Sequence, residues 1–187
     1  EMCIRDRIPL LRYYNVFHIS QVDGVEPKEQ LKISNLEPIE EAEKIKTDYM
    51  NREHLKIFEK VTNKAFYTPT FDYIEVPCKE QYQNIEEFYS TLFHEMIHST
   101  GHKNRLDRLE TGASAHFGGE SYSKEELVAE LGSATLINML GIETEKSFRN
   151  SSAYIQNWLQ ALKNDNKFIV SASSKAEKAV KYILNEQ

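Results

Sequence analysis

The sequence has few cysteines and no long apolar run, and each of these absences excludes a class of protein. Its two cysteines, Cys3 and Cys78, cannot supply the disulfide framework that holds small secreted domains together. No apolar stretch approaches the roughly 20 residues that a transmembrane helix needs, and no secretory signal is recognisable. We therefore expect a cytoplasmic protein without a membrane partner.

An excess of basic residues is absent as well. The net charge is −6 and the sequence pI is about 5.6. Nucleic-acid binding through counterion release requires a basic face, so this chain is not expected to bind nucleic acid by itself. The chain has 187 residues, of which 40% are hydrophobic and 28% charged. These values are typical of one soluble globular domain.

Hydrophobic patterning divides the chain into early strands and later helices, with no internal repeat or low-complexity tract. Residues 12–22 are predicted to form a strand or extended arm, and residues 65–77 a β-hairpin or two short strands. Predicted helices lie within 40–61, 84–101, 123–140, 151–162 and 168–184. Asn84 with Glu87 fits a capping box, and Gly101 is a natural helix stop. Similarly, Ser123 with Glu126 indicates a helix start. We predict a single α+β domain.

The strongest chemical signal is the segment HEMIH, residues 94–98. Residues four apart share one face of a helix, so His94 and His98 would present two imidazoles to one point. Glu95 could reach a water molecule bound there. This H-E-x-x-H arrangement is typical of hydrolases in which two histidines bind Zn²⁺ and the glutamate is the general base. Since affinity alone does not select the metal, manganese or cobalt could also occupy such a site.

A catalytic zinc site needs a third protein ligand and an open position for water. His102 is the nearest candidate, but it follows the Gly101 stop and need not continue the face of His94 and His98. The metzincin pattern would require its last histidine at position 104, where the sequence has Asn104. His102 therefore remains only an alternative ligand.

Two glutamates in the segment SKEELVAEL, residues 123–131, are better candidates. Glu126 and Glu130 share a helical face, so Glu126 could bind the metal while Glu130 hydrogen-bonds a ligand histidine. The spacing is similar to that of the glutamate zincins, where a second helix supplies these two roles. Two alternatives stay open: Glu130 could be the ligand, or Glu126 could be the capping partner of Ser123.

Other candidates surround this constellation. His116 and Tyr122 precede or begin the second helix and could stabilise the oxyanion of a tetrahedral intermediate. Residues 71–76 could be an edge strand that pairs with a substrate peptide, or an ordinary core strand. Arg105 and Asp107 are predicted to form a local ion pair.

Three blocks of the sequence carry a family resemblance; they are FYSTLFHEMIHSTGHKNRLDR, FGGESYSKEELVAELGSATL and AYIQNWLQALKNDNKFIVSASSKAEKAVKYIL. Together they resemble the C-terminal zincin-like metallopeptidase domain of ArdC-type antirestriction proteins, which polyvalent proteins of plasmids and phages share. The resemblance runs from about Ile8 to the end. It implies that His94 and His98 bind metal, that Glu95 is the base, and that a glutamate of EELVAE is the third ligand.

The resemblance also implies a domain organisation. Members of this family carry an N-terminal domain that binds single-stranded DNA and help mobile DNA evade host restriction. We expect residues 1–22 to be an arm that joined such a missing domain, and residues 23–187 to be the metallopeptidase domain. The first seven residues, EMCIRDR, are expected to be a sequencing-adaptor remnant.

Three functional hypotheses follow. The first is a zinc-dependent peptidase domain that cleaves an unidentified protein or peptide. The second is a metal-stabilised interaction module that protects DNA by binding, without proteolysis. The third is a metal-free helical domain with incidental histidines. The first two share a fold and a metal site, so the sequence does not separate them.

Overall fold

The structure is a computed structural model that describes residues 36–109, 120–142 and 166–186, together with Gly24. The helices are α1 (Glu40–Glu53), α2 (Ile85–Thr100), α3 (Glu120–Met139) and α4 (Asn166–Leu184), and the strands are β1 (Lys56–Lys60), β2 (Phe66–Thr68) and β3 (Tyr73–Pro77). The predicted α+β class is confirmed. The predicted strand at 12–22, the predicted helix at 151–162 and His116 lie outside the described residues.

The three strands form one sheet in the order β1-β3-β2. β2 and β3 are antiparallel, as the predicted hairpin requires, whereas β1 runs parallel to β3. The interpretation of residues 71–76 as an edge strand is wrong, because β3 pairs on both sides. Its inward side chains Ile74 and Val76 are fully buried. Within this sheet the edges are β1 and β2.

The predicted helix occupies the first part of residues 40–61. α1 ends at Glu53, and His54 then adopts a left-handed conformation with φ of 54° while its N–H bonds to Met50 O. Leu55 and Phe58, which continue the apolar spacing, belong to the connection and to β1. The left-handed turn at His54 redirects the chain, so a single apolar spacing is divided between a helix and the strand that follows it.

α2 lies at the centre of the core. It begins as predicted, because Asn84 Oδ1 accepts a hydrogen bond from the Glu87 N–H at 3.1 Å. The buried apolar side chains of α2 are Phe88, Tyr89, Leu92, Phe93, Met96 and Ile97. α3 packs closely against it at Gly132, where a Cβ atom would lie 2.6 Å from Ile97 Cδ1. Only a glycine permits this approach, which brings the acidic side chains of α3 next to α2.

The start of α3 differs from the prediction. The helix begins at Glu120, three residues before Ser123. Ser123 is therefore inside the helix and cannot be its N-cap, so the interpretation of Glu126 as the capping partner of Ser123 is wrong. At the other end Gly141 follows the helix at φ of 64°, as expected for a C-terminal stop.

Arg105 connects three elements instead of pairing with Asp107, so that prediction is also wrong. Its guanidinium bonds to the Asp72 carboxylate at 2.8 and 2.9 Å, to Glu53 at 3.0 Å and to Ser99 O at 2.9 Å. Local spacing did not reveal these partners because they are distant in sequence.

Throughout the described ranges, no helix combines the length and the apolar character that crossing a bilayer requires.

Candidate metal centre

His94 and His98 of α2 converge with Glu126 of α3. The two Nε2 atoms lie 3.1 Å apart. Glu126 Oε2 lies 3.5 Å from His94 Nε2, and Glu126 Oε1 lies 3.4 Å from His98 Nε2. One ligand atom from each residue lies within 4.8 Å of the others, and this is the group found among the described residues that could hold a metal ion.

These separations fit a common metal ion. Ligand atoms about 2.1 Å from a tetrahedral ion lie about 3.4 Å from one another. An octahedral ion at the same distance places neighbouring ligands about 3.0 Å apart. The observed range of 3.1 to 3.5 Å spans both values, and the donor set of two imidazoles and a carboxylate suits several divalent ions.

The other nitrogen of each histidine also faces a carboxylate. His94 Nδ1 lies 3.4 Å from Glu130 Oε1, and His98 Nδ1 lies 3.3 Å from Glu125 Oε1. Glu130 thus stands behind His94, while Glu126 faces the side that the two imidazoles share. Glu125 was not among the candidate residues predicted from the sequence. It stands next to Glu126 in the sequence, but the direction in which its side chain points depends on how α3 crosses α2.

The carboxylates make this pocket attractive to a cation. Burial disfavours a charged imidazole, but the hydrogen bonds that His94 donates to Glu126 and Glu130 raise the pKa of His94 to about 10. For His98 burial is likewise outweighed, here by Glu125 and Glu126, and its pKa rises to about 9. Burial alone would raise the pKa of Glu126, yet the two histidines hold it well below its usual range. Three carboxylates therefore surround the two imidazoles, and Glu126 is the one that faces both Nε2 atoms.

Glu95 is buried beside this cluster, with 8% of its surface exposed. Burial raises the pKa of its carboxyl group, while the histidines and the backbone of Tyr67 in β2 favour the ionised form. A carboxylate with a raised pKa is better suited to accept a proton at neutral pH than an exposed one. Glu95 thus lies on the side of α2 that faces β2, an edge strand of the sheet.

His102 does not join the group. His102 is buried beyond the end of α2, where its Nδ1 accepts a hydrogen bond from the Asn104 N–H at 3.3 Å. Tyr122 lies on α3, but the structure does not describe its side chain. The oxyanion roles of Tyr122 and His116 therefore stay predictions.

These features define the zincin-like class of metallopeptidase fold: a histidine pair on one helix, a glutamate from a second helix and a small mixed sheet. Residues 43–175 match the family of zincin-like metallopeptidases. The chain belongs to this family.

Curated proteins are similar to most of the chain. The chain is 36% identical over 177 residues to the DNA primase TraC of Escherichia coli, covering 94% of this chain but 16% of TraC. It is 32% identical to the protein y4eC of Sinorhizobium fredii and covers 54% of it. The chain thus spans only part of each relative.

Among solved structures, the antirestriction protein ArdC of the R388 plasmid superposes in two forms. Its Mn(II)-bound crystal structure gives a TM-score of 0.66 at 34% identity, covering 92% of this chain and 61% of ArdC. Its metal-free structure gives a TM-score of 0.61 at 32% identity.

Proposed function

We propose that this chain is the zinc-dependent metallopeptidase domain of an ArdC-like antirestriction protein from a mobile element. The observation that carries this proposal is the convergence of His94, His98 and Glu126, whose ligand atoms lie within 4.8 Å of one another. His94, His98 and Glu126 would hold the ion. A bound zinc ion supplies Lewis acidity and lowers the pKa of a water molecule to about 7.

Glu95 then acts as the general base. Its carboxylate takes a proton from the attacking water and later passes that proton to the departing amine. Burial of Glu95 supports this role, because a carboxylate removed from bulk water holds a transferred proton more readily. Tyr122 and His116 are proposed to donate hydrogen bonds to the oxyanion, as the sequence analysis predicted.

The substrate is proposed to be a protein segment in extended conformation. Within the described sheet β2 pairs with β3 on one side only, so its other side can accept an added strand. Tyr67 of β2 contacts Glu95 through its backbone. A peptide paired with β2 would therefore pass close to the proposed base. Single-stranded DNA would be bound by an N-terminal domain outside this chain, in the cytoplasm of a bacterial host.

The test compares the wild-type chain with Glu95→Gln and with Glu177→Gln as the matched control. Glu177 is an exposed glutamate of α4 that pairs with Lys181. Zinc content is measured first, and cleavage of a panel of unfolded proteins second. Peptidase activity that is lost in Glu95→Gln, with zinc retained, supports the proposal. A wild-type chain that binds no divalent metal, or a fully active Glu95→Gln variant, contradicts it.

A second function is favoured by one comparison. A related domain forms 16% of TraC, which is named a DNA primase. The alternative is therefore a metal-stabilised module that protects DNA through binding and cleaves nothing. In a full-length protein, this alternative predicts that Glu95→Gln leaves protection of incoming DNA unchanged. Loss of protection with metal binding intact favours the peptidase.

A further inference from the structure

Glu125 connects the candidate metal centre to a buried arginine. Its Oε1 lies 3.3 Å from His98 Nδ1, on the side of the ring that faces away from His94 and Glu126. Arg108 donates to the same carboxylate twice, from Nε to Oε2 at 3.0 Å and from Nη2 to Oε1 at 3.0 Å. This bidentate geometry fixes the plane of a carboxylate more firmly than a single hydrogen bond does.

Arg108 is itself held in place by the end of α2. Its Nη1 donates to Thr100 Oγ1 at 2.7 Å and its Nη2 to Ile97 O at 2.5 Å, and only 8% of its side chain is exposed. Gly101 makes this possible, because a Cβ atom there would lie 3.1 Å from Arg108 Cγ and 2.7 Å from Leu109 Cγ. Gly101 has a right-handed φ of −77°, so it is needed for this close approach and not for a left-handed turn.

The two histidines are therefore supported differently. Glu130 faces His94 Nδ1 at 3.4 Å, and in the described part of the chain no lysine or arginine forms an ion pair with it. Glu125 faces His98 Nδ1 and also forms an ion pair with Arg108. A neutral imidazole carries one N–H, and a carboxylate acceptor at Nδ1 keeps the proton there. The Nε2 lone pair then remains available to a metal ion.

We infer that Glu125, clamped by Arg108, is a positioning residue that fixes the ring orientation and the tautomer of His98 for metal binding. The inference rests on the metal site of the proposed function. Arg108 acts through Glu125: it holds the carboxylate in place and compensates its charge at a position largely removed from water. The loop after α2 thereby becomes part of the metal site without contributing a ligand.

The experiment is a double-mutant cycle on Zn²⁺ affinity, measured on the purified chain by competition with a chromophoric chelator. Glu125→Gln is expected to weaken Zn²⁺ binding about 10- to 100-fold, as for other partners of metal-bound histidines. Arg108→Gln is expected to weaken it in the wild-type background and to add little in the Glu125→Gln background. Glu177→Gln is the matched control and should bind Zn²⁺ as the wild type does. Where Arg108→Gln fails to fold, Arg108→Lys takes its place, since a lysine cannot reach both carboxylate oxygens and Ile97 O.

A second measurement separates positioning from general stability. Long-range ¹H–¹⁵N spectra of the zinc-loaded protein should show His98 with its proton on Nδ1, and Glu125→Gln should shift that signal while far-UV circular dichroism stays unchanged. The inference is overturned if Glu125→Gln binds Zn²⁺ within twofold of the wild type, or if Arg108 substitution weakens binding equally in both backgrounds. If the wild-type chain itself binds no metal, the proposed function fails first, and the two failures are distinguishable.

Discussion

Arg105 and Asp72 form a two-pronged ion pair, in which both Nη atoms of the arginine reach the carboxylate at 2.8 and 2.9 Å. The pair ties the turn between β2 and β3 to the C-terminal end of α2. This relationship matters for the candidate site, because β2 lies beside Glu95 and α2 carries the two histidines.

Removing the charge of Asp72 is expected to destabilise the fold. Asp72 has φ of 48°, and asparagine tolerates this left-handed conformation, so Asp72→Asn changes the charge and leaves the backbone unstrained. We expect the free energy of unfolding to fall by about 1.5–3 kcal/mol, typical of a hydrogen-bonded charge. Urea unfolding measures this. Lys181→Gln, which breaks an exposed pair with Glu177, should change it by less than about 1 kcal/mol. Equal effects of the two substitutions would contradict the importance of the Arg105 pair.

The same pair predicts how stability depends on acid. Burial opposes ionisation of Asp72, but hydrogen bonds from Arg105 and Tyr67 outweigh it and hold the pKa of Asp72 below its usual range. A carboxyl group with a lowered folded-state pKa stabilises the fold above the unfolded-state pKa. That contribution is lost as the pH falls through the folded-state pKa. Urea unfolding between pH 6 and pH 3 should therefore give the wild type a higher free energy of unfolding than Asp72→Asn. This difference should narrow below about pH 4. An advantage that grows on acidification would refute this assignment.

Gly132→Ala tests whether close contact of α2 and α3 forms the candidate site. Alanine favours a helix by about 1 kcal/mol over glycine, yet its Cβ would lie 2.6 Å from Ile97 Cδ1. We expect the clash to dominate, with a net loss of about 1–3 kcal/mol in unfolding free energy and weaker Zn²⁺ binding. Replacing Ile97 by valine in the same chain removes the Cδ1 atom. This second change should restore part of the unfolding free energy and part of the Zn²⁺ affinity. A Gly132→Ala variant that is more stable and binds Zn²⁺ with unchanged affinity would contradict this prediction, because it would show that the metal site does not depend on close contact between α2 and α3.

The sequence predicted those features that local signals encode. The spacing of His94 and His98, the Asn84 cap and the β2–β3 hairpin all depend on residues close in the chain. Strand β1 was missed because Leu55 and Phe58 prolong the apolar period of α1, and the left-handed His54 that ends the helix has no distinctive local sequence.

Relationships between elements could not be predicted in the same way. The central position of β3 depends on the parallel β1, and the partners of Arg105 lie on other elements. Glu125 was missed for a similar reason. Adjacent residues on a helix point about 100° apart, so only the crossing of α3 over α2 decides which of Glu125 and Glu126 faces the shared side of the histidines.

The order of effects among the glutamates of α3 will identify the third metal ligand. Glu126 faces both Nε2 atoms at 3.4 and 3.5 Å, whereas Glu130 faces only His94 Nδ1 at 3.4 Å. Glu130→Gln should weaken Zn²⁺ binding about 10- to 100-fold, and Glu126→Gln should weaken it further, because it removes a ligand. Thermal unfolding provides an independent readout. Zn²⁺ at 100 times the wild-type Kd stabilises the wild type by about 2.7 kcal/mol, and at that same concentration the gain should be smallest in Glu126→Gln. If Glu130→Gln is the more damaging change in both measurements, the roles are exchanged and Glu130 is the ligand.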